Sequence, residues 1–477
     1  MTRTLIKNGT LVTASDTFKA DILIEGETIA QIGTSTVLSA DLEPGSVKVV
    51  DATGRLILPG GIDPHVHLDL PMFGTVSSDD HYTGHKAAAF GGTTTAMDFV
   101  VQESKGFKYS VDVWMEMAQK AAIDYSFHMN LTHFDDQIAR EIPSLAEMGI
   151  TTLKVFTAYN GRLRLDDGGI FRALRIAKDN GMLIMAHCEN GDVIETLIPE
   201  ALAAGHTTPE WHALTRPGWG AVEATLRMAA MAETADAPVY IVHMNMGGEV
   251  DMLKYARERG VPVMGETCPP YLFFSIDELR RPDGAKWICS PPMRSKADNA
   301  RIWQGLTEGT LQTIGTDHCP FFFDGTRSIV YEGQEIAIPG KELGRDDFTK
   351  IPNGLPGIQD RMPILWTYGV RTGKITPNQF VAYMSTNPAK IFGLYPRKGA
   401  LVPGADADIV IWDPEKQVKY GVAMSHQRTD YNLYEGWDLV GYPEKVFLRG
   451  QMIVDGDQWL GKRGSGKFLK RGQGEVI

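Results

Sequence analysis

Eight short stretches of nearly continuous apolar residues recur between residues 56 and 316, and a helix-patterned segment separates most neighbours. The stretches are Leu56–His67, Thr93–Val100, Tyr125–Thr132, Thr151–Thr157, Leu183–His187, Val239–His243, Val261–Glu266 and Leu311–Thr316. Helical periodicity falls over 79–90, 110–122, 138–148, 168–180, 220–234, 248–259 and 298–309. Strands that are apolar on both faces are those of a parallel sheet covered by helices. Eight of them predict a distorted (β/α)8 TIM barrel over residues 56–390, long for that fold, with the excess in loops. A doubly wound sheet is the competing arrangement, but the Gly-x-Gly-x-x-Gly that would follow its first strand is missing. No short internal repeat is visible.

The flanks have a different texture. Residues 4–13 and 20–33 alternate as short strands broken at Asn-Gly and Glu-Gly turns. The pattern returns at 403–413 and at 445–454. Neither end can close a core alone, so residues 1–55 and 391–456 are expected to pair as one small discontinuous β-sandwich domain. Residues 457–477 read as a tail, and its basic cluster (Lys462, Arg463, Lys467, Arg471) is expected to be solvated or to contact another subunit.

Composition narrows the partners. The 477 residues are 43% hydrophobic and 22% charged, with a net charge of −12. No basic stripe offsets that charge, which excludes a nucleic-acid or anionic-membrane partner. No apolar run approaches the roughly 18–20 residues of a membrane span. The start lacks a signal-peptide core. The four cysteines, Cys188, Cys268, Cys289 and Cys319, form no Cys-x-x-Cys, so a cytoplasmic protein with reduced thiols is expected.

Active sites of α/β barrels sit at the carboxyl ends of the strands, and those ends carry the informative residues here. The first strand ends in His65-Val66-His67, and residues i and i+2 of a strand project from the same face. The fourth holds Lys154 in an apolar run, the fifth ends in His187, the sixth in His243 and the eighth runs into Asp317. Any one could be an ordinary core or turn residue. Jointly, four histidines, an aspartate and a lysine supply enough ligands for two metal ions if the lysine bridges them. A buried ammonium would pay a steep desolvation cost, so burial favours the free amine. Such an amine can add CO2, becoming a carbamate able to bridge two divalent ions.

The order His-x-His, Lys, His, His, Asp resembles the amidohydrolase superfamily. The segments 61–69, 154–159, 186–189, 316–320 and 351–354 resemble the dihydropyrimidinase/D-hydantoinase family along almost the whole chain. The resemblance implies a hydrolase that opens cyclic amides, with two Zn2+ per subunit bridged by carboxylated Lys154 and a hydroxide. His65, His67 and Asp317 would hold one ion, and His187 and His243 the other. It also implies Tyr159 as oxyanion donor, and Ser290 and Asn353 as main-chain binders of the substrate's imide edge. Asp317 would act as base and then acid. A homotetramer acting on a small cyclic ureide or imide is expected. Leu70, Met72, Phe73 and Phe156 are expected to line an apolar pocket for the ring substituent.

Allantoinases and dihydroorotases belong to the same superfamily. Dihydroorotases place an arginine shortly after His-x-His, and Asp69-Leu70-Pro71 offers none. A non-catalytic scaffold resembling the neuronal collapsin-response proteins would lack the metal ligands, and here every ligand position is filled.

Overall fold

The computed structural model describes residues 3–34, 38, 47–72, 74–331 and 333–477. Eight parallel strands follow one another in sequence order: β1 (Gly61–Val66), β2 (Thr93–Val100), β3 (Asp124–Asn130), β4 (Thr152–Phe156), β5 (Leu183–His187), β6 (Val239–Ile241), β7 (Val263–Thr267) and β8 (Thr313–Ile314). A parallel bridge between Val66 and His318 carries the edge beyond β8 back to β1, so the barrel is nearly closed. Two buried devices hold that seam. Thr316 Oγ1 donates to Asp63 Oδ2 at 2.6 Å, and Arg361 donates from Nη1 to Ile62 O (2.8 Å) and Ile314 O (2.9 Å). Every strand residue is buried except the partly exposed Phe156, as helices on the outside and side chains within require.

The helices sit within a few residues of the periodic segments. Thr83–Phe90, Phe107–Met117, Asp136–Glu147, Asp167–Asp179, Gly218–Ala235, Gly247–Arg257 and Lys296–Thr307 wrap the barrel. Several starts are set by capping side chains: Asp135 accepts from Ile138 N, Asp166 from Gly169 N, and Asn190 from Val193 N at the head of the helix Gly191–Ala203.

The stretch expected as one strand, Leu56–His67, is two. Leu56–Pro59 leaves the barrel and pairs with Ile409–Lys419 and Thr10–Val12. The chain turns at Gly60 and enters β1. Gly60 packs on Thr94 so closely that a Cβ would sit 2.1 Å from Thr94 Oγ1. Continuous apolar composition could not mark this corner, because both halves are buried in different sheets.

Two sheets built from both chain ends pack face to face. One has four strands, in the order Thr28–Gly33, Asp21–Glu25, Arg3–Lys7, Lys48–Asp51. The other has seven, running from Gln458–Trp459 through Gln451–Asp455, Asp438–Leu448, Ile409–Lys419, Leu56–Pro59 and Thr10–Val12 to Thr17–Lys19. Ile6, Ile22 and Ile24 from the first meet Leu11, Ile57, Ile409, Ile411 and Phe447 from the second in one apolar cluster.

The tail departs from expectation at one basic residue: Lys462, Arg463 and Lys467 are exposed, but Arg471 is buried. Leu469 is buried in the barrel's inner cluster with Ile62, Met97, Met185 and Met264. Arg471, 4% exposed, donates from Nε to Ser126 Oγ at 2.9 Å and from Nη2 to Thr152 Oγ1 at 2.8 Å. Backbone bonds Leu469 N to Tyr125 O (2.7 Å) and Arg471 N to Gly149 O (2.9 Å) lay the tail across the amino-terminal end of its own barrel. An open barrel floor exposes apolar side chains, and the tail covers them.

Candidate metal centre

His65 closes β1 and His67 follows it, so both rings reach the same side of the mouth. Each directs Nε2 at Asp317 Oδ1, at 3.1 and 3.0 Å. The ligand-capable atoms of His65, His67 and Asp317 lie within 4.8 Å of one another. His187, at the end of β5, and His243, two residues past β6, form a second pair with Nδ1 and Nε2 3.0 Å apart. The His65 and His243 ring centres are 5.4 Å apart, which joins the two pairs into one cluster. Asp317 and His243 both take left-handed backbone (φ +51° and +40°), which no strand pattern anticipates.

Lys154 stands inside β4 at 2% exposure. Its Nζ lies 4.8 Å from the Phe99 ring centre and 5.0 Å from that of Phe156, with no hydrogen bond or ion pair among the described residues. Burial drives the amine down to about 8. The structure therefore brings the six singled-out side chains to one mouth.

The other face of two imidazoles is fastened to carboxylates. His65 Nδ1 meets Glu266 Oε1 at 2.8 Å, and His187 Nε2 meets Glu189 Oε2 at 2.8 Å. A carboxylate on one ring nitrogen fixes the tautomer and turns the lone pair of the other toward the cluster. Burial opposes charge on His65, but Asp317 and Glu266 outweigh it and hold the ring at about 9. Burial lowers His187 and, with His187 and Lys154 beside it, pushes His243 well below its ordinary value. Burial raises Asp317, yet His65 and His67 bring it well below the usual carboxylate range. Two imidazole pairs, an ionised carboxylate and a lysine whose amine burial makes easier to deprotonate form a donor set that fits divalent metal.

Sequence reasoning missed the supports. Glu266 also accepts from Tyr240 Oη (2.9 Å) and His243 N (3.2 Å), and its one signal was a carboxylate inside an apolar strand. Burial raises Glu189, but Arg216 and His187 hold it at about 2. His318 is braced by Asp79 Oδ2 (3.1 Å) and Gly357 N (3.1 Å), which fixes the turn carrying Asp317.

Tyr159 lies beside this cluster, its ring centre 5.3 Å from that of His187, on left-handed backbone (φ +68°). Burial pushes its phenol up to about 12, so it stays protonated and able to donate. Ser290 and Asn353 meet across the cavity wall, Asn353 Nδ2 donating to Ser290 Oγ at 3.1 Å. Behind them, Lys341 Nζ (2.9 Å) and Gly354 N (3.1 Å) both donate to Ile288 O, a strut that the sequence did not reveal. A cavity of about 290 Å³ opens over the cluster. Leu70, Met72 and Phe156 line it as expected, together with Val101, Leu163 and Arg162. Phe73 lies outside the described residues.

Fold and site together define the class: a parallel α/β barrel with a metal-capable His–His–Asp group at the carboxyl ends of its strands. The chain belongs to the amidohydrolase family, whose profile matches residues 56–453. It is 45% identical to a D-hydantoinase of Geobacillus stearothermophilus over 472 residues, 98% of this chain and 96% of that one. It is 41% identical to a D-hydantoinase of Streptomyces coelicolor, covering 98% of each chain. Among solved structures, the dihydropyrimidinase of Brevibacillus agri superposes over 100% of both chains with a TM-score of 0.94 and 46% identity. Among the described residues, no helix is long and apolar enough to cross a membrane.

Proposed function

We propose that this chain is a zinc-dependent cyclic amidohydrolase that opens the ring amide of 5,6-dihydropyrimidines and 5-substituted hydantoins, yielding N-carbamoyl amino acids. The observation that carries this reading is the meeting of His65, His67, His187, His243, Asp317 and the buried Lys154 under one cavity. Relatives named D-hydantoinase over nearly their full length support it. His65, His67 and Asp317 would hold one zinc ion and His187 and His243 the other, with N6-carboxylated Lys154 shared between them. When bound, the pair supplies a Lewis-acid centre that acidifies a shared water towards neutrality.

The chain's own residues do the rest. Ser290 and Asn353 orient the imide edge of the ring through their main chain. Asp317 takes the proton of the attacking water as the C–O bond forms and the carbonyl oxygen gains charge, then delivers that proton to the ring nitrogen as the amide C–N bond breaks and the carbonyl re-forms. The Tyr159 phenol, still protonated at neutral pH, donates to the oxygen that gains charge. One such donor contributes about 3–4 kcal/mol. The apolar wall of Leu70, Met72 and Phe156 receives the ring substituent. The same reading makes the protein a cytoplasmic homotetramer with no nucleic-acid or membrane partner.

Metal analysis and ring opening test it together. Purified protein should carry about two zinc ions per chain and turn over dihydrouracil, hydantoin and 5-phenylhydantoin faster than allantoin or dihydroorotate. A chain free of metal, or one that prefers dihydroorotate, overturns the proposal.

A further inference from the structure

The loop after β4 holds two arginines with opposite fates. Tyr159 O accepts from three successive amides, Arg162 N (3.1 Å), Leu163 N (3.0 Å) and Arg164 N (3.3 Å), around Gly161 at φ +71°. Asn160 Nδ2 donates to Asp192 Oδ1 at 2.7 Å, and Arg164 Nη1 donates to Asn160 Oδ1 at 3.0 Å and pairs with Asp192. The loop is thus bolted to the start of the helix Gly191–Ala203, and Arg164 is consumed in the bolt. Arg162 is not. It lines the cavity from an exposed position at the rim, where its solvated guanidinium has no hydrogen bond, ion pair or ring contact among the described residues.

Its setting gives that free charge a meaning. Away from the histidine cluster, Lys154 and Asp317, the lining residues are apolar (Leu70, Met72, Val101, Phe156, Leu163) or neutral, as Asn130 and Thr132 are. Arg162 is the charged lining residue on this side of the cavity. An apolar wall beside an unpaired fork of N–H donors matches a short hydrocarbon stem that carries a carboxylate, which a guanidinium binds through charge-assisted, bidentate hydrogen bonds. A bare aryl group would fill the wall and leave the fork unused. Resting on the function proposed above, we infer that Arg162 is a specificity-determining residue and that the site favours rings whose substituent ends in a carboxylate. These are 5-(carboxyalkyl)hydantoins, opened to N-carbamoyl acidic amino acids.

Two substrates of equal size separate charge from fit: 5-(2-carboxyethyl)hydantoin and its amide, 5-(2-carbamoylethyl)hydantoin. The readout is the acid-to-amide ratio of kcat/KM for the metal-loaded wild type, Arg162→Gln, Arg162→Lys and Arg162→Glu. The ratio should fall about fivefold in Arg162→Gln, the scale of a solvent-exposed ion pair. The loss should appear in KM, be largely recovered in Arg162→Lys and deepen in Arg162→Glu. Raising the salt should narrow the wild-type ratio towards that of Arg162→Gln. Turnover of both substrates with an equal ratio in wild type and Arg162→Gln overturns this inference alone. No turnover of any hydantoin, the unsubstituted ring included, overturns the function and the inference together.

Discussion

His81 offers a direct test of the electrostatics behind the His65–His67 turn. Its ring is buried between two carboxylates, with Nδ1 2.9 Å from Asp69 Oδ2 and Nε2 3.2 Å from Asp98 Oδ2. Lys120 lies on the far side of Asp69 at 2.8 Å and reaches Asp80 at 3.4 Å. The remaining neighbours are the His85 ring at 5.6 Å, kept neutral by burial and by His81, and the rings of Tyr125 and Phe127. Burial lowers His81, but the two carboxylates outweigh it and raise the ring from 6.5 to about 9. A proton bound more tightly in the folded chain stabilises the fold. The contribution is complete below the unfolded value near 6.5, fades as pH rises and is gone above about 9. At 1.36 kcal/mol per unit the shift is worth about 3 kcal/mol. With about 2.1 cal/mol/K of unfolding entropy per residue, 477 residues give about 1 kcal/mol/K, so the contribution corresponds to about 3 °C. Scanning calorimetry of wild type and His81→Gln across pH 6 to 10 reads it out, because groups common to both cancel in the difference. The Tm gap should be about 3 °C wider at pH 6 than at pH 10. A gap that does not change with pH refutes the imidazolium and leaves His81 as a neutral ring.

Two perturbations address the centre itself. Lys154→Ala should abolish turnover, and short carboxylic acids, which restore a shared carboxylate, should return part of it; undiminished activity in Lys154→Ala refutes the bridging role. Phe156→Ala should raise KM for 5-phenylhydantoin about tenfold more than for dihydrouracil, and equal effects on both rings would remove Phe156 from the substituent wall.

How much of this was legible in the sequence depends on the range of the physics involved. The strands and helices of the barrel follow local periodicity, and the observed helices begin and end within a few residues of the periodic segments. His65, His67, Lys154, His187, His243 and Asp317 were conspicuous because each is a polar residue at or inside an apolar strand, and the barrel brings such positions to one mouth. What escaped was decided by partners distant in sequence. Leu56–Pro59 reads as the start of β1, and only its pairing with Ile409–Lys419 removes it. Leu469 and Arg471 sit among glycines and lysines that look solvated, and the barrel floor alone explains their burial.

The escaped residues share one physical role. Glu266 fixes the ring of His65, Glu189 that of His187, and Asp79 braces the turn that presents Asp317. His81 does the same for Asp69, two residues beyond His67, and its own backbone N–H also donates to Asp69 Oδ2 at 3.1 Å. Each support is a buried charge or dipole that would be costly alone and is tolerated because it finds its partner across the fold. A metal-ligand pattern can be read from residue type and strand position. The polar shell that aims the ligands cannot, since a buried carboxylate in one strand acquires its meaning from the imidazole delivered by another. The His81 titration therefore probes more than one residue: it asks whether charge held behind the histidine cluster contributes to the stability of the fold that presents it.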